Sequence, residues 1–337
     1  MQPITTAFPL SNRILLQALV MKALREALEE RGFVETFYQE VTEVTGSCET
    51  IANIFILAEK NLMPLRQTAQ LLMEELLVSS NLPRMFTSGR SFRREVATDG
   101  RHLSEFELFE WEALDIDLQK LVEYNAEIVE HVIVRVLRSN LLERERHRAL
   151  YHWFGKWKEN AQDHVISYSN AIQFLRDIAF TVIVETESGQ KFERPIEYGD
   201  DLNSKAERAL TQHFGILQVT HYPEPIKFFN MERSRDFENE GCVECVDLLL
   251  PYAGETIGGS AREYDYAILS EKLRNSLMLK HLLDLNRQHG GTDEEVVRAF
   301  DSYLNLFKHN PYPRAGAGLG LGRLFQFLIA SPSIIPF

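Results

Sequence analysis

Two segments with strand character, Arg84 to Arg94 and Glu105 to Leu114, follow one another with a polar stretch and no helix between them. That stretch, Glu95 to Ser104, contains the turn pair Asp99-Gly100, so the two segments read as neighbouring antiparallel strands. This pairing constrains the fold more than any other feature. Across the whole chain, helical and strand patterns do not alternate in the βαβ order of a doubly wound parallel sheet. A helix comes first, then strands, then helices, then strands again. The order predicts an α+β fold with a mostly antiparallel sheet flanked by helices.

Apolar residues at Ile14, Leu15, Leu19, Leu24 and Leu28 predict a helix over Ser11 to Arg31, capped by Ser11 and ended by Gly32. Phe33 to Val44 reads as a strand. Leu62 to Gln70 reads as extended, with a helix from Ala69 to Ser79. Further helices are predicted over Asp117 to Arg148, Ser169 to Thr181, Ser204 to Phe214, Ser270 to Gln288, Asp293 to Phe307 and Leu319 to Ala330. Ile216 to Thr220, Ile226 to Asn230 and Cys242 to Leu250 are candidate strands. No run is apolar long enough to cross a bilayer, and no targeting signal opens the chain. The 3 cysteines cannot build a disulfide framework, which points to a reducing cytoplasm. Cys242-Val243-Glu244-Cys245 stands alone, and a zinc site would need more ligands. With 36 Lys+Arg against 49 Asp+Glu the net charge is -13, which argues against non-specific binding of nucleic acid but not against a local basic cleft.

Three stretches carry candidate chemistry. In the hairpin, Arg93 and Glu95 share one phase of a strand, and Phe106 and Glu110 share one phase of the returning strand. Together they can offer a guanidinium to a phosphate, a ring to a base and carboxylates to amino groups. The same pattern also fits a hairpin with exposed charges and a core Phe. The second stretch is Gly254 to Glu263, whose Gly258-Gly259 allows close approach of a ligand. Asp247 in the apolar strand upstream wants a cation or a donor, and with Glu255 it could share Mg²⁺. A Gly-rich turn with an exposed acid fits as well. The third is the Gly-rich Arg314 to Gly320, which lacks the Lys-Ser/Thr of a P-loop but leads into a helix carrying Arg323.

In this order the stretches resemble motifs 2 and 3 and the acidic segment of the class II aminoacyl-tRNA synthetases, aspartyl/asparaginyl subgroup, with asparaginyl-tRNA synthetase nearest. The residues that carry the resemblance are Phe92-Arg93-Arg94-Glu95, Arg101-His102-Leu103-Ser104-Glu105-Phe106, Gly254-Glu255-Thr256-Ile257-Gly258-Gly259-Ser260-Ala261-Arg262-Glu263 and Gly318-Leu319-Gly320-Leu321-Gly322-Arg323-Leu324. Lys191 to Pro195, Gly199 to Leu202 and Tyr222-Pro223 also look like that catalytic domain. The resemblance implies an adenylating enzyme that uses ATP and Mg²⁺. It gives Arg93 the α-phosphate and the amino-acid carboxylate, Glu95 the adenine amino group, Phe106 the adenine ring, and His102 the γ-phosphate. Arg323 would cover the adenine and bind the γ-phosphate. Asp247 and Glu255 would hold Mg²⁺, and Thr68, Gln70 and Glu110 the substrate α-amino group. Arg262 would grip the side-chain oxygen. Aspartyl enzymes place a lysine where this chain has Met73. Asparaginyl enzymes use a Glu one residue later, matched by Glu74, to accept from the amide and repel a carboxylate. A solvated helix face is the other reading of Glu74.

Three departures stand out. The residues before Ser11 leave no room for the family's N-terminal OB-fold, so the chain reads as a single catalytic domain over 1–337 with a helical insertion at about 270–297. Gln39 stands where motif 1 normally has a proline at the dimer interface, although a homodimer remains the expectation. Gly322 replaces the acid before the motif 3 arginine, which would loosen Arg323. The resulting expectation is a stand-alone enzyme that adenylates asparagine or aspartate and passes the acyl group to ammonia or a small amine, as an archaeal asparagine synthetase of this type does. The alternatives are an asparagine–tRNA ligase without an anticodon domain and a non-catalytic paralogue that binds amino acid or nucleotide.

Overall fold

The computed structural model describes residues 1–42, 54–57, 64–94, 103–159, 164–185, 189–236, 239–309 and 311–334. In chain order the elements begin with α1 (Leu10–Glu29), β1 (Val34–Glu35), α2 (Gln70–Ser80), β2 (Arg84–Phe92), β3 (Glu105–Leu114), α3 (Leu118–Leu137) and α4 (Arg144–Glu159). They continue with β4 (Val165–Ser167), α5 (Tyr168–Asp177), β5 (Thr181–Glu185), β6 (Lys191–Pro195), α6 (Ser204–Phe214), β7 (Leu217–Thr220), β8 (Cys245–Leu250) and β9 (Gly254–Ala261). The last are α7 (Tyr266–Asn275), α8 (Leu277–Gln288), α9 (Asp293–Phe307), β10 (Arg314–Gly320) and α10 (Leu321–Leu328).

The main sheet has eight strands in the order β1-β2-β3-β10-β9-β8-β7-β4. Its neighbours are antiparallel except for the two outermost pairs, β1 with β2 and β4 with β7. The fold is therefore the α+β architecture that the element order predicts. β5 and β6 form a separate antiparallel hairpin.

The Gly-rich run is strand β10, at the centre of this sheet, and not a loop. Its alternation explains why. Ala315, Ala317 and Leu319 point into the core, where they are fully buried, while Gly316, Gly318 and Gly320 lie on the opposite face. On the core side α1, α3 and α10 pack against the strands. They contribute Leu24, Leu28, Leu121, Ile128, Leu324 and Phe327 to one apolar cluster with Phe109, Trp111, Val246 and Ile257. α1 presents Leu16, Val20, Ala23, Leu24, Ala27 and Leu28 on one face, at the spacing a 3.6-residue period requires. A fully buried Leu of this kind contributes about 1.5–3 kcal/mol.

Gly259 shows how closely α3 approaches. A Cβ there would lie 2.6 Å from the Ala317 Cβ, 2.8 Å from the Gly316 carbonyl oxygen and 3.1 Å from Leu121 Cδ2. A strand backbone cannot step aside. Gly259→Ala is expected to destabilise the protein by about 1–3 kcal/mol, read as a shift in the denaturant midpoint at unchanged slope.

Several sequence expectations need correction. α1 begins at Leu10 with Pro9 as N-cap, so Ser11 lies inside its first turn. The strand expected from Phe33 to Val44 shrinks to Val34–Glu35, and its last two residues lie outside the described ones. The expected helix Asp117 to Arg148 is two. Ser139 donates to the Val136 carbonyl at 2.7 Å and ends α3, because a Ser side chain competes for backbone groups. Ser276 likewise divides Ser270 to Gln288, capping α8 by accepting from Leu279 N–H at 3.1 Å. Ile226 to Asn230 is not a strand. Glu224–Ile226 is a 3-10 turn, and the Met231 N–H donates back to the Phe228 carbonyl at 3.2 Å, so the segment closes into turns instead of an extended ladder. β8 starts only at Cys245, β2 ends at Phe92, and α10 spans Leu321–Leu328. β4, β5 and β6 are strands with no counterpart among the sequence expectations. Between β9 and β10, helices α7, α8 and α9 build their own apolar cluster around Leu269, Leu282, Phe300 and Tyr303, with Phe229 against it. Among the described residues no helix is long and apolar enough to cross a membrane.

Candidate active site

The face of the sheet turned away from α1, α3 and α10 carries the candidate site. Strand register puts Glu110 on β3, Gly318 on β10, Gly258 on β9 and Asp247 on β8 in one row. The floor is thus two glycines with an acid at each end. The next row holds Glu112, Gly316 and Ser260. Above this floor Thr68, Gln70, Arg93, Phe106, Glu110, Asp247, Glu255, Arg262 and Arg323 line one cleft, joined by Lys227.

At the β3 end, both Glu110 oxygens accept from the Ala69 N–H at 3.0 Å, where α2 begins. That contact presents the flanking Thr68 and Gln70 to the cleft. A Cβ on Gly318 would lie 3.6 Å from Glu110 Cγ and 3.7 Å from Gln70 Nε2, so the two side chains meet above that glycine. Burial pushes the Glu110 carboxyl up to about 7, against the Ala69 hydrogen bond and the charges of Arg66 and Arg262. The folded protein thus keeps a proton that the unfolded chain loses near 4.5. Stability from this group is complete below 4.5 and is lost as pH rises through about 7. Glu110→Gln is expected to flatten that part of the fall in thermal midpoint between 4.5 and about 7, measured by melting across the interval.

At the mouth, Arg93 and Phe106 flank the ends of β2 and β3. The Arg93 N–H donates to the Ser104 carbonyl at 2.9 Å, and its guanidinium lies 5.1 Å from the Phe106 ring centre. The hairpin thus joins the two residues as the phase argument anticipated. Glu95 and His102 lie outside the described residues.

At the opposite end, Asp247 Oδ2 and Lys227 Nζ are 2.7 Å apart, with Nζ 3.9 Å from the Tyr222 ring centre. A Cβ on Gly258 would lie 2.8 Å from Glu255 Oε1 and 3.5 Å from Asp247 Oδ1. Both carboxylates therefore close on a notch that only glycine leaves open. Burial pushes Asp247 up to about 7; Lys227 opposes this and the Glu255 charge adds to it. Two converging carboxylates, Asp247 buried and Glu255 part-exposed, suit a hard cation that keeps its other positions for water and phosphate oxygens. The residues present fit Mg²⁺. Arg323, in the first turn of α10, donates to the Glu255 carbonyl and lies 3.9 Å from its carboxylate. Gly322 therefore does not leave Arg323 loose, because Glu255 holds it.

Behind the cleft lies a charged cluster that sequence reasoning largely missed. Arg262 donates from Nη2 to Glu112 Oε1 at 2.5 Å and from Nη1 to Ser260 Oγ at 2.8 Å. Glu74 is fully buried and bound to Arg314 of β10, which overturns the solvated helix face. Unlike the other described site candidates, Glu74 is not part of the cleft lining. A signal for Glu112 existed: it repeats the Glu110 phase in a strand whose other phase is Phe109, Trp111 and Ala113. Lys227 and Arg314 had no comparable local signal.

Residues 6–336 match the family described as tRNA synthetases class II (D, K and N). The chain is 30% identical over 350 residues to the asparagine–tRNA ligase of Desulfotalea psychrophila, covering 100% of this chain and 71% of that protein. It is 30% identical over 313 residues to the asparagine–tRNA ligase of Thermococcus kodakarensis, covering 92% of this chain and 64% of that protein. Among solved structures, asparaginyl-tRNA synthetase from Pyrococcus horikoshii complexed with asparaginyl-adenylate superposes with a TM-score of 0.75 at 28% identity, covering 96% of this chain and 66% of that one. An aspartyl tRNA synthetase from Entamoeba histolytica, at 19% identity and a TM-score of 0.67, shares the fold. The chain spans about two thirds of the length of the two ligases and of the Pyrococcus horikoshii enzyme, and 56% of the Entamoeba histolytica one.

Proposed function

The chain belongs to the class II tRNA synthetases of the D, K and N group, and from that premise we propose that it activates asparagine with ATP and transfers the asparaginyl group to tRNA. The observation that supports this best is the convergence of Arg93 on Phe106, the Glu110 row, Arg262 and the Asp247–Glu255–Arg323 group in one cleft. The two relatives at 30% identity are asparagine–tRNA ligases, which puts tRNA first among acceptors. The expectation of ammonia or a small amine as acceptor draws no support from them. A role limited to binding amino acid or nucleotide predicts no pyrophosphate exchange, which the test below reads directly.

In this reading the α-amino group rests on Thr68, Gln70 and Glu110, and the side chain points to Arg262. Phe106 offers its ring to adenine, with Glu95 on the exocyclic amine. Arg93 draws the amino-acid carboxylate and the α-phosphate together. Arg323 and His102 hold the γ-phosphate. A carboxylate oxygen bonds to the α-phosphorus, and the bond to the bridging oxygen breaks in line, with pyrophosphate taking the electron pair. The nucleophile is already ionised at neutral pH, so no general base is needed. The site acts through positioning and charge stabilisation. Mg²⁺, held by Asp247 and Glu255, supplies charge neutralisation of the phosphates when bound. The reading includes a homodimer, checked by sedimentation.

The test is ATP–pyrophosphate exchange with asparagine and with aspartate, each with and without total tRNA or ammonia. Exchange with asparagine together with charging of tRNA supports the proposal. AMP release driven by ammonia, without charging, overturns the tRNA step. No exchange with either amino acid overturns the adenylation itself.

A further inference from the structure

Glu74 can read a substrate amide only if its carboxylate is free to accept, and in this structure it is occupied. Oε2 accepts from Arg314 Nε at 2.8 Å, from Arg314 Nη2 and from the Tyr303 hydroxyl at 2.8 Å. Oε1 accepts from Asn230 Nδ2 at 2.9 Å and lies 3.8 Å from Arg262 Nε. An ionised carboxylate has about four lone-pair sites, so these donors use nearly all of its capacity. Arg314 is itself held in place. It is fully buried, its guanidinium lies 3.9 Å from the Phe307 ring centre, and Nη1 donates to the Tyr312 carbonyl at 3.1 Å. Neither partner can leave the other without abandoning a charge in the interior.

Arg262 is placed differently. Its Nε and Nη2 face Glu112 and its Nη1 faces Ser260. That leaves one hydrogen on each terminal nitrogen, and Arg262 is the member of this cluster that lines the cleft. A group that only donates reads an oxygen. Asparagine and aspartate both carry one, and a donor cannot select the amide N–H. The charges point the same way. Arg314 cancels Glu74, and Arg262 is balanced by Glu112, so the repulsion that would exclude a carboxylate side chain is gone.

We infer that Arg314 is a positioning residue that withdraws Glu74 from the substrate, so that this enzyme adenylates aspartate as well as asparagine. The inference rests on the adenylation reading above. The chemistry is unchanged: an oxygen of the α-carboxylate bonds to the α-phosphorus, and pyrophosphate leaves with the electron pair.

The experiment compares kcat/KM for asparagine and aspartate in pyrophosphate exchange, for the wild-type chain, Arg314→Met and Arg314→Lys. The wild-type values are expected within about tenfold of each other. Arg314→Met frees the Glu74 charge, and aspartate is expected to lose at least about 100-fold more than asparagine, mainly through KM, because like charges brought together cost several kcal/mol. Arg314→Lys keeps the charge and the wild-type ratio. A purely structural role would lower both amino acids alike. A wild-type preference for asparagine above about 1,000-fold overturns the inference, and so does an equal loss in Arg314→Met. Should Arg314→Met fail to fold, calorimetry of the wild type with the asparaginyl and aspartyl sulfamoyl-adenosines decides. Affinities within tenfold support the inference, and a thousandfold gap overturns it. Asparagine exchange without aspartate exchange overturns this inference alone. No exchange with either overturns the adenylation reading and this inference with it.

Discussion

Arg93→Ala is expected to lower amino-acid-dependent ATP–pyrophosphate exchange by about 10³-fold or more while leaving the protein folded. The two halves of this expectation have separate grounds. Arg93 lies just past the end of β2, partly exposed, and its guanidinium faces the Phe106 ring at 5.1 Å. The cation–π contact is worth about 0.5–1 kcal/mol, and the side chain sits at a strand end outside the apolar core, so the protein is expected to stay folded. The reaction depends on the same guanidinium far more. The attacking carboxylate and the α-phosphate are both anions and repel each other, and a fork of N–H donors between them offsets that repulsion where charge develops. Removing one preorganised donor from a desolvated oxyanion site typically costs 10²–10³-fold, and here the group also orients the nucleophile. Arg93→Lys keeps the charge but not the fork, and is expected to recover a small part of the rate. Exchange at near wild-type rate in Arg93→Ala, with the protein intact by circular dichroism, would remove Arg93 from the reaction.

The sequence makes the local parts of this molecule legible and hides those that depend on distant partners. The β2–β3 hairpin can be read because turn chemistry and strand phase are set within a few residues of each other. The start of α9 at Asp293 and the bounds of β3 are recovered for the same reason. The glycine run shows the opposite case. Read as a loop, it suggests phosphate binding; read with a period of 2, glycine at 316, 318 and 320 against Ala315, Ala317 and Leu319 describes a buried strand with one bare face. That bare face forms part of the cleft floor. Helix breaks at Ser139 and Ser276 are missed because a single side chain competing for backbone groups interrupts an otherwise continuous apolar period. Arg93, Phe106, Arg262 and Arg323 stand out through family resemblance. Glu112 and Arg314 acquire meaning only across separations of 150 and 240 residues, from Arg262 and Glu74 respectively. No window of sequence contains such pairs.

Glu112→Ala is expected to be the most destabilising of the site substitutions, by about 3–5 kcal/mol, and to abolish exchange as well. Glu112 is fully buried, and its carboxyl group occupies the space above Gly316, where a Cβ would lie 2.1 Å from it. Truncation removes the main acceptor of the Arg262 guanidinium, leaving Ser260 Oγ and the more distant Glu74. A buried cation then lacks its partner, and a cavity opens beside it. The double replacement Glu112→Met with Arg262→Met separates stability from function. Replacing both charges with apolar side chains of similar volume removes the unpaired ion, and such exchanges are often neutral or stabilising. The double variant is therefore expected to regain most of the lost stability in a denaturant titration while showing no exchange. A double-mutant cycle on the unfolding free energies isolates the coupling between the two residues. Recovery of stability without recovery of exchange would show that the ion pair persists in the core to present Arg262 to the substrate. If the double variant is as unstable as Glu112→Ala, the pair instead contributes to folding itself and the inference about its purpose falls.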